Sequence, residues 1–189
     1  MTFQQQRDDY LAALGWVADL MASTPPAQLG LPTPCAEYDA RTLMGHLIGT
    51  AERGLGTAER RSTSHVPHVV TDVPDEELAS TYAALARRIG DAWAALSGGD
   101  QVRAPWGECS AREAARGFTV ETVTHGWDLA VATGRDSEAP DGIAARCLMV
   151  AESVIPGRLR GVMYAESVPA ELGASTTEQL ANLLGHQRL

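Results

Sequence analysis

Residues 110–134 read SAREAARGFTVETVTHGWDLAVATG, and this stretch decides the fold. It opens on Ser110-Ala111-Arg112-Glu113, the spacing of a capping box, in which the first and fourth side chains cap each other's backbone N–H groups. It closes on Gly134, the residue type that ends a helix in the left-handed conformation. Ala114, Phe118, Leu129 and Ala132 recur at helical spacing and form one apolar stripe. Glu121 and His125 fall four apart within that stripe and share its face. An ionised carboxylate facing a core costs several kcal/mol unless it is paired or bound to a metal. Something must therefore compensate Glu121.

Further helices follow on either side. In residues 3–23, Tyr10, Leu14, Val17 and Met21 keep helical spacing until Pro25-Pro26 ends the run. Asp39 is a suitable N-cap for a second helix over 40–61, with Leu43, Leu47, Ala51 and Leu55 along one face. Residues 62–74 read as a loop. A third helix starts near Asp75, carries Leu78, Tyr82, Leu85, Ile89, Trp93 and Leu96, and is stopped by Gly98-Gly99. The stretch 100–109 reads as a loop with a short extended piece at 102–106. Beyond Gly134, a medium helix is expected over 142–155. A short one opens with a second capping box at Ser175-Thr176-Thr177-Glu178 and ends at Gly185. Four longer helices and two shorter C-terminal ones predict an all-α fold, a four-helix bundle with additional short C-terminal helices. Residues 156–174 look irregular.

Composition excludes several classes. The 189 residues carry a net charge of −9, from 15 basic and 24 acidic side chains, so a nucleic-acid partner is not expected. Every basic residue is Arg. Without Lys there is neither Schiff-base chemistry nor a Walker lysine. No run approaches the ~20 apolar residues of a membrane span, and residues 1–11 hold no apolar signal core. Cys35, Cys109 and Cys147 show no CxxC or disulfide rhythm, which predicts a reducing, cytoplasmic setting. GxSxG, a helix-opening GxGxxG and a P-loop are all missing.

By spacing alone, Glu121 and His125 are equally a buried hydrogen-bonded pair, a helix-surface pair or two ligands of one divalent ion. A metal would need a third ligand. His46 is the best candidate, although on a helical wheel it points away from the Leu43/Leu47/Ala51 stripe. Gly45 and Gly49 beside it would let another helix approach closely. Asp128, three residues after His125, is either a hydrogen-bond acceptor fixing a histidine tautomer or an ordinary contact to another helix. Trp127 reads as core. Cys35 is either a thiol at the mouth of the site or a small buried hydrophobe. Arg158 and Arg160 could reach a substrate carboxylate or lie in solvent. His65 and His68 fall in a loop, and His186 is expected at the surface.

The run PTPCAEYDARTLMGHLIG at 32–49, followed by ETVTHGWDLAVATGR at 121–135, resembles the DinB-like metal-binding superfamily. The likeness is to the branch related to the N-terminal domain of mycothiol-dependent maleylpyruvate isomerase. That branch shows TPC-x-x-[WY]-D before the helix with the first histidine, and E-x-x-x-H-x-W-D-L on a later helix. The likeness extends to the closing TTEQLANLLGH at 176–186.

The resemblance implies a bundle holding one divalent ion, zinc or nickel, through His46, Glu121 and His125. The position of His46 then implies that its helix is packed on two sides. Three protein ligands leave a place for water or substrate. The resemblance also implies a small thiol cosubstrate of the mycothiol type, a small electrophile, and S-transfer or isomerisation. Its alternative is a non-catalytic metal-binding bundle, with a stress-related role. Homodimerisation is compatible with it. The expected organisation is one domain over 1–189 with a C-terminal extension from about 156. That length has no room for the second domain of the two-domain isomerase, which turns the expectation away from maleylpyruvate isomerisation itself.

Overall fold

The structure, a computed structural model, describes residues 1–154, 160 and 165–188. Four long helices carry the molecule: α1 (Phe3–Ala22), α2 (Ala40–Ala58), α3 (Leu78–Ala94) and α4 (Ala111–Thr133). Helix α1 packs on α3 and α4, and α2 also packs on α3 and α4, so the four close into a ring. The fold is all-α and DinB-like. Two shorter helices, α5 (Ile143–Val154) and α6 (Thr176–Leu183), pack on each other and on α4.

The helix boundaries follow local chemistry. Asp39 accepts from the Thr42 N–H at 2.8 Å and starts α2. At α4 both halves of the capping box form: Ser110 Oγ accepts from Glu113 N at 3.3 Å, and the Glu113 carboxylate accepts from Ser110 N at 2.8 Å. Gly134 ends α4 at φ 68°. At α6 only the serine half of the box forms. Ser175 Oγ caps Glu178 N, while the Glu178 carboxylate accepts from Arg188 at 2.9 Å instead.

Inside the ring, Tyr10 stacks on Phe118 and meets Trp93 edge-on, with centroids 5.8 and 5.6 Å apart. The Trp93 indole donates to Gly54 O at 3.1 Å. A second apolar cluster joins α5 and α6 to the bundle through Ala13, Val123, Ile143, Ala144, Leu180 and Leu184. Arg146 on α5 grips Asp9 on α1 with two 2.7 Å hydrogen bonds.

Three expectations need correction. Helix α3 ends at Ala94 rather than running to Gly98-Gly99. The loop read at 100–109 is a hairpin, β1 (Gln101–Ala104) antiparallel to β2 (Gly107–Ser110), with Val102 opposite Cys109. The strand Gly107-Glu108-Cys109-Ser110 has no β-branched alternation to announce it, and Gly107 takes φ +129° at the turn. The third concerns Gly45 and Gly49. What lies against them is not a helix but residues 67–70 of the loop, laid across α2 like a strap. A Cβ at Gly45 would collide with the Val70 carbonyl oxygen, and one at Gly49 would come within 3.0 Å of the Pro67 oxygen. The Val70 N–H donates to Gly45 O at 3.1 Å. With the bundle on one side and the strap on the other, α2 is buried from Leu43 through Ala51.

Among the described residues no helix is long and apolar enough to cross a membrane.

Candidate metal centre

The strap is what makes His46 an interior residue. Its Nδ1 lies 3.1 Å from the His68 carbonyl oxygen, and its Nε2 lies 3.2 Å from Glu121 Oε1 on α4. A carbonyl oxygen can only accept, so Nδ1 carries a proton, and Nε2 is the atom that either donates to the Glu121 carboxylate or offers a lone pair to a metal. His125 mirrors it. Its Nδ1 faces Asp128 Oδ2 at 2.9 Å, and its Nε2 lies 3.6 Å from the same Glu121 oxygen. Two imidazoles on different helices are thus each steered from behind by an oxygen, with Nε2 of both turned toward one carboxylate.

This arrangement fits a divalent ion. Metal–ligand bonds of about 2.0–2.1 Å in a tetrahedron put the ligand atoms roughly 3.3 Å apart, and the observed separations are 3.2 and 3.6 Å. The backing of each Nδ1 by a carbonyl or carboxylate is the pattern that orients metal-ligating histidines. The histidine side chains are only 4% and 11% exposed, whereas Glu121 keeps 40%, so the cluster opens to solvent on the carboxylate side.

The electrostatics show how strongly these groups are coupled. Burial works to raise the Glu121 pKa, but hydrogen bonds from His125 and His46 outweigh it and hold the carboxyl well below the usual range. Burial likewise opposes a charge on His125, yet Asp128 and Glu121 push its pKa up to about 10. Asp128 itself is fully buried; despite that burial, hydrogen bonds from His125 and His186 keep its pKa below the ordinary aspartate value. Without a metal, a proton on His125 offsets part of the negative charge of Glu121 and Asp128.

The remaining sequence-predicted residues divide. Cys35 is half-buried, and its Sγ lies within 4.8 Å of ligand atoms of His125, Asp128 and His186, at the edge of the cluster. Burial, followed by the charges of Asp128, Glu37 and Glu121, pushes its pKa up to about 12. Trp127 is fully buried, with the Arg188 guanidinium 5.6 Å above its ring. Arg158 lies outside the described residues. Arg160 donates to the carbonyls of Ala165 and Leu183. His65 is exposed in the loop.

Two residues were not read as part of this region. His186, expected at the surface, places Nδ1 2.9 Å from both oxygens of Asp128, and its ring meets His125 at 5.4 Å. Gly185, with φ of +94°, turns the chain after α6 and returns the next residue to the bundle. His68 is exposed, but its ring lies 4.7 Å from that of His46, and Tyr38 flanks both at 5.5 and 6.3 Å. Nothing in a Pro-containing loop sequence pointed to this.

A ring of four helices with a His, a Glu and a second His meeting between α2 and α4 defines a DinB-like bundle. More narrowly, the chain belongs to the mycothiol maleylpyruvate isomerase N-terminal domain family, whose sequence model matches residues 10–130. It is similar to uncharacterized proteins of two Mycobacterium tuberculosis strains, CDC 1551 / Oshkosh and ATCC 25618 / H37Rv. Each is 29% identical over 189 residues, covering 98% of this chain and 96% of the relative. Among solved structures, the crystal structure of the mycothiol-dependent maleylpyruvate isomerase superposes with a TM-score of 0.62 over 80% of this chain and 69% of that one. At 15% identity, that likeness is one of fold.

Proposed function

We propose that this protein holds one divalent ion, zinc or nickel, through His46, Glu121 and His125. With it, the protein acts as a mycothiol-type thiol S-transferase or isomerase on a small electrophile. The single observation that supports this most is the turning of two imidazole nitrogens, each with its Nδ1 already engaged, toward one carboxylate oxygen at 3.2 and 3.6 Å. A metal ion at such a point lowers the pKa of a bound thiol or water and so supplies a nucleophile at neutral pH.

The chain's own residues contribute orientation. Asp128 and the His68 carbonyl fix the two imidazole rings, and Glu121 faces the solvent side, where a ligand would enter. Cys35, whose pKa burial pushes up to about 12 in the metal-free chain, is read as a wall of the cleft. In this reading the reacting thiol comes from a separate molecule, and family membership favours mycothiol. This reading takes 1–189 as one domain whose extension begins at about 156.

Elemental analysis of protein purified without an affinity tag or added metal tests it. One ion per chain is expected, lost in each of His46→Ala, Glu121→Ala and His125→Ala. A wild-type chain without metal overturns the reading. Calorimetric titration of the loaded protein with mycothiol then separates the two forms of the proposal. Metal without thiol binding at millimolar concentration leaves a non-catalytic metal-binding bundle.

A further inference from the structure

We propose that Arg53 is the specificity-determining residue of this cleft, receiving the carboxylate of a small anionic electrophile. This inference rests on the proposed function for the word electrophile, but its geometry is independent of any metal.

Arg53 lies seven residues after His46 on α2, two turns along the same face. Its guanidinium folds back along the helix. A Cβ built at Gly49 would sit 3.5 Å from Arg53 Nη1 and 3.5 Å from the His68 oxygen, the same oxygen that receives His46 Nδ1. The guanidinium therefore lies against Gly49, one turn from His46 and beside the strap carbonyl that engages it. Its charge is felt at Tyr38 and His68, the two rings that flank His46, and at Glu121.

Its partners leave it incomplete. Arg53 Nη2 donates to the carbonyls of Val66 at 3.1 Å and Pro67 at 2.7 Å. Among the described residues, no group accepts from Nη1 or Nε, and no carboxylate pairs with it. Arg41 makes the informative contrast. It ties down the other end of the strap, donating to the carbonyls of Val70, Thr71 and Val73, and it also has a counter-ion, Asp75, at 3.1 Å. Holding a loop therefore goes with a carboxylate partner at Arg41 and without one at Arg53. A half-buried guanidinium with unused donors in a planar fork matches a carboxylate in geometry and in charge. In a chain of net charge −9, an Arg without a carboxylate partner is a local positive charge that draws small anions.

The test uses the full chain, both as purified and after chelator dialysis, titrated calorimetrically with succinate and with neutral succinamide. The wild type is expected to bind one succinate and no succinamide. Arg53→Gln should weaken succinate binding at least tenfold with metal content unchanged. Arg53→Lys, which keeps the charge and a donor to the strap, should recover most of the affinity. Thermal melts of both variants report whether the strap has loosened. Succinate binding that is undetectable in the wild type, or equal in wild type and Arg53→Gln, overturns the proposal. A chain that binds succinate through Arg53 but carries no metal would sink the metal reading and leave this one standing.

Discussion

Asp128 Oδ2 lies 2.9 Å from His125 Nδ1, three residues earlier on the same helix. This contact fixes which way the imidazole faces. The carboxylate is fully buried and also accepts from His186, so it ties the chain beyond α6 to the same histidine. Asp128→Ala would leave two ring N–H groups without their acceptor. The expected result is a loss of about 1–3 kcal/mol in urea unfolding and a 10–100-fold drop in zinc affinity by chelator competition. Asp128→Asn keeps one accepting oxygen and should fall between. An unchanged zinc affinity in Asp128→Ala would show that the contact does not orient a ligand.

The metal-free protein should have two pH limits of opposite sign. His125 has its pKa raised from 6.5 to about 10, so its contribution is fully present below 6.5 and is lost as pH climbs through 10. Glu121 is held well below 4.5, so its contribution is present above 4.5 and is lost as pH falls toward its folded value. In the proposed site a metal would take the place of the His125 proton, and protons compete with metal for ligands. Zinc loading should therefore abolish the alkaline decline and steepen the acid one. Urea midpoints from pH 2 to 10, with and without zinc, measure both. A flat alkaline limb in the metal-free chain would contradict the assignment.

Gly45→Ala places a Cβ against the Val70 carbonyl and 3.2 Å from Val69 Cγ1. The first obstacle is backbone, so the strap has to lift. Overpacking of this kind costs roughly 1–3 kcal/mol. Because the strap carries the oxygen that holds His46 Nδ1, metal affinity should fall together with stability. Leu43→Ala, a cavity in the buried face of the same helix, should lower stability by about 2–5 kcal/mol while moving metal affinity less. If the two variants show the same ratio of effects, the strap has no special hold on the site.

The contrast between α4 and the strap shows what could be read from residues alone. Helix α4 is legible end to end because its signals are local: a capping box at Ser110, a left-handed glycine at 134, and a period that places Glu121 and His125 on one face. For His46 the glycines beside it mark a candidate, periodicity points it away from the core, and only the motif resemblance implies that its helix is covered on two sides. A wheel calculation assumes one buried face, whereas α2 is covered on both sides. The strap, His68 and His186 were not legible, because their placement depends on contacts between residues far apart in sequence. Val70 against Gly45 spans 25 positions and His186 against Asp128 spans 58. The glycines at 45 and 49 did signal a close approach. They could not say whether a helix or a loop would make it.

Cys35 gives the sharpest separation between a wall residue and a reacting one. A thiol raised from 9.0 to about 12 loses roughly a thousandfold in thiolate fraction at pH 8. The remaining thiolate is intrinsically more nucleophilic, and with a Brønsted coefficient of about 0.4–0.5 it regains roughly twentyfold. The net expectation is alkylation of Cys35 in the folded, metal-free chain roughly 40-fold slower than in the urea-unfolded chain, read by mass spectrometry after iodoacetamide quenching. Cys147, buried and also pushed to about 12, should be at least as slow. Zinc affinity should survive Cys35→Ser within a factor of about three, because none of the three proposed nitrogen and oxygen ligands depends on the thiol for its orientation. Rapid alkylation of Cys35 in the folded state would make it a candidate nucleophile. Loss of zinc in Cys35→Ser would make it a fourth ligand closing the position that the proposed chemistry needs open.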